Sequence, residues 1–246
     1  MSGILDQVAR SATIIKRAHF QPTSPEDFFA LQLAYKLHEP ITAQHYADLL
    51  EHYTLEHLLT AFHRALRRTS HTELARVFHE ELRRLGDRDI EEIKDRRLAA
   101  IRIDRRGVAV AILCGYHLEY PPLVRQLPSE INKAQSSAAG FISSVIQRCP
   151  FATAALETLP GNDEVHRQAL FKVVQDVLSE QAVGMWQVEK ASVLGAYGYP
   201  PLSSRREVQK IIERIWPDMN GSFGAPLIKD ALALGLYCQT EYLFNL

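Results

Sequence analysis

Histidine is the residue type in this sequence whose clustering comes nearest to a reactive arrangement. Eight of the ten histidines fall between His19 and His79. Neutral imidazole is a common metal ligand, and His45 and His52 are seven residues apart on one face of a predicted helix, which makes them the candidate ligands. A metal site needs three or four converging ligands, whereas these histidines are spread one or two per predicted helix. The sequence therefore predicts no metal and no cofactor.

Arg64 and His71 are the candidate catalytic pair. An arginine and a histidine separated by six residues loosely resemble the pair found in one class of helical ribonucleases. The resemblance implies that a dimer cleaves RNA without metal, with His71 as general base. Ala65 departs from that pattern, because a polar residue normally follows the arginine.

Basic residues are densest between Arg83 and Arg106. Phosphate contacts require such clusters, so four arginines are candidates for nucleic-acid binding. Acidic residues are interleaved with them, a pattern that is also typical of a solvated, ion-paired helix face. The candidates are Arg96, Arg97, Arg105 and Arg106.

The remaining motif searches favour a protein that is not an enzyme. The sequence has no GxGxxG after a predicted strand, no GxxxxGK[ST] and no GxSxG. Cys114, Cys149 and Cys238 are far apart and lie in apolar surroundings, as expected of buried thiols in a reducing compartment. We therefore leave enzymatic activity open, with the balance against it.

Composition is typical of an ordinary globular protein. The 246 residues are 46% hydrophobic and 23% charged, and the formal net charge is −1. No overall field attracts nucleic acid or membrane, so any polyanion site has to be local. No apolar run approaches the roughly 20 residues of a membrane helix, and no signal peptide is visible. These features predict a cytoplasmic protein without a membrane partner.

Hydrophobic periodicity and capping residues predict a mainly α fold. Ser24, Thr54, Ser70, Asn162 and Ser204 each precede an apolar stripe with helical spacing. Predicted helix ends recur at intervals of roughly 40 residues, as in helical-hairpin repeats. The expectation is a helical domain of about ten helices, either a helical-hairpin array or an irregular bundle.

The segment 98–113 remains ambiguous. β-branched residues on both sides of Asp104-Arg105-Arg106-Gly107 favour a small β-hairpin, whereas the continuous apolar run Val108–Leu113 also suits a buried helix. If the hairpin forms, region 42–113 resembles a winged-helix DNA reader, with Arg105 and Arg106 at the tip of the wing.

These features define the predicted organisation and function. We expect an N-terminal helical region over 1–86 and a C-terminal helical region over 87–246, packed as one unit. The first hypothesis is a non-catalytic helical protein with a regulatory or scaffolding role, whose partner is another protein. The alternatives are a DNA- or RNA-binding regulator and the helical ribonuclease. Under any of these hypotheses the protein could be a homo-oligomer.

Overall fold

The computed structural model describes residues 21–39, 43–85, 97–159, 164–197, 202, 204–219 and 225–244. The chain divides into two compact units. The first contains the described residues of Met1–Lys94, Gly195–Leu202 and Thr240–Leu246, and the second those of Asp95–Leu194 and Ser203–Gln239. The predicted boundary at 86/87 lies outside the described residues.

The first unit is helical. Its helices are α1 (Pro25–Leu37), α2 (Ala43–His52), α3 (Leu55–Arg68) and α4 (Leu74–Arg84). The predicted caps at Ser24 and Thr54 are confirmed, because each side chain accepts a hydrogen bond from the backbone N–H three residues on. Ser70 does not cap α4, which begins after Glu73 without a side-chain cap. Apolar residues of α1, α3 and α4, such as Phe28, Phe62 and Phe78, form the core of this unit.

The second unit is built on a mixed six-stranded sheet. The strands are β1 (Arg97–Asp104), β2 (Gly107–Cys114), β3 (His117–Leu118), β4 (Leu123–Gln126), β5 (Thr153–Glu157) and β6 (Gly184–Val188). The sheet has the order β3-β2-β1-β5-β6, and β4 also pairs with β2. The β1–β2 and β2–β4 pairs are antiparallel, whereas β5 runs parallel to both β1 and β6.

Helices cover both faces of this sheet. The other helices of the described chain are α5 (Ile131–Arg148), α6 (Val165–Glu180), α7 (Lys190–Ala196), α8 (Arg205–Ile215) and α9 (Ala225–Phe244). Ala99, Ile101 and Ile103 of β1 join one core with α5 and α6. Side chains alternate along a strand, so Ala100 and Arg102 point to the opposite face. There α9 approaches so closely that a Cβ on Gly235 would lie 3.0 Å from Ala100 Cβ.

The prediction of a mainly α fold of about ten helices, as a hairpin array or a bundle, is wrong. The described chain holds nine helices together with the mixed sheet, which makes the fold α/β. The ambiguous segment is a hairpin, with Asp104 opposite Gly107, but it forms the middle of the sheet rather than a small separate element. The apolar run Val108–Leu113 is continuous because β2 is buried on both faces. The predicted Asn162 cap lies outside the described residues.

Membrane insertion has no helical candidate in this structure. Among the helices of the described ranges, none is both long and apolar enough to span a bilayer. The cytoplasmic location remains a prediction.

Candidate carboxylate–arginine site

Arg102 is a buried cation within the otherwise apolar segment 98–103 of β1. It lies near the carboxyl end of β1, between Ile101 and Ile103, and only 6% of the residue is exposed. The strand alternation that places both isoleucines in the α5–α6 core turns Arg102 towards α9. A buried guanidinium requires partners because it cannot lose its proton in a protein.

Two carboxylates meet this guanidinium. Glu157 is the last residue of the parallel neighbour β5, and its Oε1 lies 2.5 Å from Arg102 Nη1. Asp230, on α9, lies on the other side, with Oδ2 at 3.8 Å from Arg102 Nε. The side chains of Glu157 and Asp230 are 13% and 9% exposed. The site therefore stands at the carboxyl ends of β1 and β5, the edge at which open α/β sheets bind ligands.

Three further polar side chains complete the cluster. Arg205, the first residue of α8, forms an ion pair with Asp230 Oδ2. The amide of Gln209 donates a hydrogen bond of 2.8 Å to Asp230 Oδ1. Arg167, on α6, donates from Nε to the Ile103 carbonyl at 3.1 Å and places Nη2 at 4.0 Å from Glu157 Oε1. Each carboxylate is thus bound by groups from at least two other elements.

Four cationic groups, Arg102, Arg167, Arg205 and Lys190, face three carboxylates, Asp104, Glu157 and Asp230, at this site. Burial, and then the neighbouring charge of Arg102, lower the pKa of the Arg205 guanidinium below its ordinary value. Lys190, Arg205, Glu157 and Asp230 are among the residues that line an open recess, whose volume of about 290 Å³ includes solvent at its mouth. Among the described side chains of this site, Arg102 Nε, Arg205 Nε and Asp230 Oδ2 are buried without a hydrogen-bond partner. The donors that the recess can offer a ligand are those of the exposed Lys190 and of the partly exposed Arg205.

The described residues do not form a divalent-metal site. Mg²⁺ and Ca²⁺ take six or more oxygen ligands, mainly from carboxylates, carbonyls and water. Here Glu157 and Asp230 are already neutralised by arginines. Within the described ranges, no group of three or more histidine, cysteine, aspartate and glutamate side chains could hold a metal. A divalent ion in the recess would also be repelled by the guanidinium groups of Arg102 and Arg205.

The predicted nucleic-acid-binding arginines lie elsewhere in the second unit. Arg105 and Arg106 form the exposed turn between β1 and β2, where Arg105 Nη1 is 3.7 Å from Glu164 Oε1. Arg97, at the start of β1, pairs with Glu119, and this hydrogen bond raises the pKa of Arg97. Arg96 lies outside the described residues. Their role in binding remains a prediction.

The other predicted site residues belong to the first unit. Arg64 is half-buried on α3, and the exposed His71 precedes α4, its ring 6.4 Å from that of His38. The ring of His45 stacks on that of His79 at 6.4 Å, and His52 lies edge-on to Tyr53. None of these residues belongs to the carboxylate–arginine cluster of the second unit.

Sequence reasoning missed Arg102, Glu157 and Asp230 as a group. Each is a charge within or at the end of an apolar run, in Ala-Ile-Arg-Ile, Ala-Ala-Leu-Glu and Ile-Lys-Asp-Ala-Leu. A charged residue in a buried segment requires a partner of opposite charge. The charges within these apolar runs were therefore a signal in the sequence that each residue pairs with another. Convergence of the three depends on strand order, which the sequence pattern did not reveal.

Comparisons with known proteins give structural matches only. No family model matches the chain, and no curated protein does either. Thermus thermophilus RuvC in complex with Holliday junction substrate matches with a TM-score of 0.50 at 12% identity, over 60% of this chain and 94% of that one. A second Thermus thermophilus RuvC structure matches with a TM-score of 0.45 at 15% identity, over 59% and 95% of the two chains. The yeast mitochondrial Holliday junction resolvase Ydc2 matches with a TM-score of 0.40 at 13% identity, over 76% and 97%.

The likeness to the RuvC complex shows that 60% of the chain has a RuvC-like α/β fold. It corrects the sequence interpretation of an all-α or helical-repeat protein. The hypothesis of a non-catalytic helical scaffold is wrong for the same reason, since its argument rested on a helical domain without a convergent polar site. The winged-helix interpretation fails because the hairpin is the buried centre of the sheet. Arg64 and His71 belong to the helical first unit, outside the sheet, and the ribonuclease alternative stays a prediction.

Proposed function

We propose that this protein acts on nucleic acid, with branched duplex DNA as the first ligand to test. The carboxylate–arginine site at the carboxyl edge of a RuvC-like sheet is the observation that carries the proposal. The RuvC structure with this fold was solved with a Holliday junction substrate, which supports the ligand class. The partner proposed here is DNA, in place of the protein partner expected from the sequence.

Charge at the site supports binding to a phosphate backbone. Arg102, Arg167, Arg205 and Lys190 surround or line the recess, against the carboxylates of Asp104, Glu157 and Asp230. The chain as a whole has a net charge of −1, so attraction to DNA has to come from such local clusters. Arginine suits this role because its planar fork of donors matches phosphate oxygens.

A binding assay with matched DNA substrates tests the proposal. Fluorescence anisotropy should show that the protein binds a four-way junction more tightly than a linear duplex of the same sequences. Denaturing gels of the same mixtures measure strand cleavage. Absence of binding to either substrate at low salt would remove the proposal.

Arg205→Glu and Lys172→Glu form a variant and its control. Arg205 lines the recess, whereas Lys172 is an exposed residue of α6 in the same unit, paired with Asp176. Both substitutions change the charge by the same amount. We expect about a tenfold or greater loss of junction affinity for Arg205→Glu, the effect of one or two charge-assisted phosphate contacts, and little change for Lys172→Glu. Equal losses in both variants would show that binding does not use the recess.

A further inference from the structure

Phosphodiester chemistry on DNA usually relies on divalent ions. Two-metal nuclease sites hold these ions with carboxylates, and the ions neutralise the charge of the phosphate and of its ligands. In this chain, Glu157 and Asp230 are held instead by Arg102 and Arg205. The RuvC-like sheet therefore has carboxylates at its carboxyl edge, but arginines take the positions beside them that metal ions would occupy in a two-metal site.

Arg102 is a fixed part of the site. It is on a central strand, its side chain is 7% exposed, and its guanidinium lies between the two carboxylates. If the Arg102 side chain turned away from the site, Glu157 would lose its partner at 2.5 Å. The guanidinium would also have to leave its buried position on a central strand of the sheet. The cation between these acids is thus built into the protein.

Arg205 differs from Arg102 in exposure. Its side chain is 41% exposed at the first position of α8, and it lines the open recess together with Lys190. A guanidinium with this access can contact Asp230 and an incoming anion together, because it carries five N–H donors.

We infer that Arg102 takes the place of a divalent cation at Glu157 and Asp230, and that the recess binds a nucleic-acid phosphate through Arg205 and Lys190 without metal. This inference rests on the proposed function for the identity of the ligand. The recess is shallow, and its volume of about 290 Å³ includes the open solvent at its mouth. A phosphate would therefore be bound at the open mouth, where Arg205 and Lys190 lie, rather than enclosed.

Manganese binding tests the first part of the inference, that Arg102 takes the place of a divalent cation, and this test needs no nucleic acid. Electron paramagnetic resonance of free Mn²⁺ should show no stoichiometric binding by the wild-type protein. Arg102→Asp places a third carboxylate beside Glu157 and Asp230, and we expect that variant to bind Mn²⁺. Lys172→Asp is the control, with the same change of charge on the surface of α6. Stoichiometric Mn²⁺ binding by the wild type that is lost in Glu157→Gln would overturn the inference, whether or not Arg102→Asp folds.

Binding measurements with junction DNA and inorganic phosphate test the second part of the inference, that the recess binds phosphate without metal. Junction affinity should be equal in Mg²⁺ and in excess chelator, and inorganic phosphate should compete with the junction for the wild-type protein. In Arg205→Gln we expect about a tenfold or greater loss of affinity, while Lys172→Gln keeps the wild-type value. If the wild type binds junction DNA only with Mg²⁺, the inference fails and the proposed function stands. If it binds no DNA in either buffer, the proposed function fails, and the manganese experiment still decides the role of Arg102.

Discussion

Arg102 and Glu157 form the ion pair on which the candidate site depends. Their atoms approach to 2.5 Å, and both side chains are largely shielded from water. Replacing a whole buried ion pair by apolar residues is often neutral, whereas removing one partner leaves an uncompensated charge. The geometry therefore makes the two residues interdependent.

Glu157→Gln should destabilise the second unit by about 3 kcal/mol, because it leaves Arg102 buried with only the more distant Asp230 as a counter-ion. Urea denaturation followed by tryptophan fluorescence measures this change. The chain has two tryptophans, Trp186 and Trp216, and both lie in the second unit.

Glu164→Gln is the control for that measurement. Glu164 also pairs with an arginine, Arg105, but their side chains are 51% and 64% exposed. Exposed pairs contribute about 0–1 kcal/mol, so this variant should unfold close to the wild-type midpoint. Similar losses in Glu164→Gln and Glu157→Gln would contradict the view that burial makes the Arg102 pair important.

Helix α9 positions Asp230 by lying unusually close to the sheet. A Cβ on Gly235 would come within 2.5 Å of Leu113 Cδ1 and 3.0 Å of Ala100 Cβ. Only a residue without a side chain allows this approach. Asp230 is on the same helix and lies near the end of β1. The close packing of α9 at Gly235 therefore helps to hold Asp230 in the site.

Gly235→Ala should therefore destabilise the second unit by about 1–3 kcal/mol, the usual effect of overpacking. Gly140→Ala is the matched control, since Gly140 is also helical, on α5, and a Cβ there meets no atom within 4 Å. Alanine is the better helix former by about 1 kcal/mol, so the control should be stabilised or unchanged. A Gly235→Ala protein that unfolds at the wild-type urea concentration would show that α9 can move away from the sheet without loss.

Element type was predictable from the sequence only where the pattern was unambiguous. The caps at Ser24 and Thr54 and the amphipathic stripe of α3 have local signals, and these helices form as expected. Strands β5 and β6 have five residues each, and β3 has two, which is too short for a reliable period. Because β1 and β2 are buried on both faces, their sequences lack the alternation of apolar and polar residues that identifies a strand.

The candidate site could not be predicted because it is a product of topology. Arg102 and Glu157 are distant in sequence and become neighbours through the parallel pairing of β1 with β5, which brings Ile101 beside Leu156 one step earlier. Asp230 joins them because α9 returns across the other face of the sheet. The sequence shows each charged residue within an apolar run. It does not show that the three side chains meet, because their meeting depends on contacts between residues distant in sequence.

At the scale of the whole molecule, binding to DNA depends on where charge is placed rather than on how much there is. A net charge of −1 gives no general attraction to a polyanion. The recess supplies one cationic cluster. Arg105 and Arg106, at the exposed β1–β2 turn of the same unit, are the proposed second contact with the phosphate backbone.

The salt dependence of affinity measures whether that second contact exists. Each phosphate neutralised contributes about 0.9 to the slope of log affinity against log salt, because counter-ions are released from DNA. Arg105→Ala/Arg106→Ala should therefore lower the magnitude of the slope by about two if both arginines contact phosphates. Lys133→Ala/Lys172→Ala removes two exposed lysines of α5 and α6 and should leave the slope unchanged. An equal slope for the arginine variant and the wild type would exclude the turn from the interface and confine phosphate contacts to other parts of the chain.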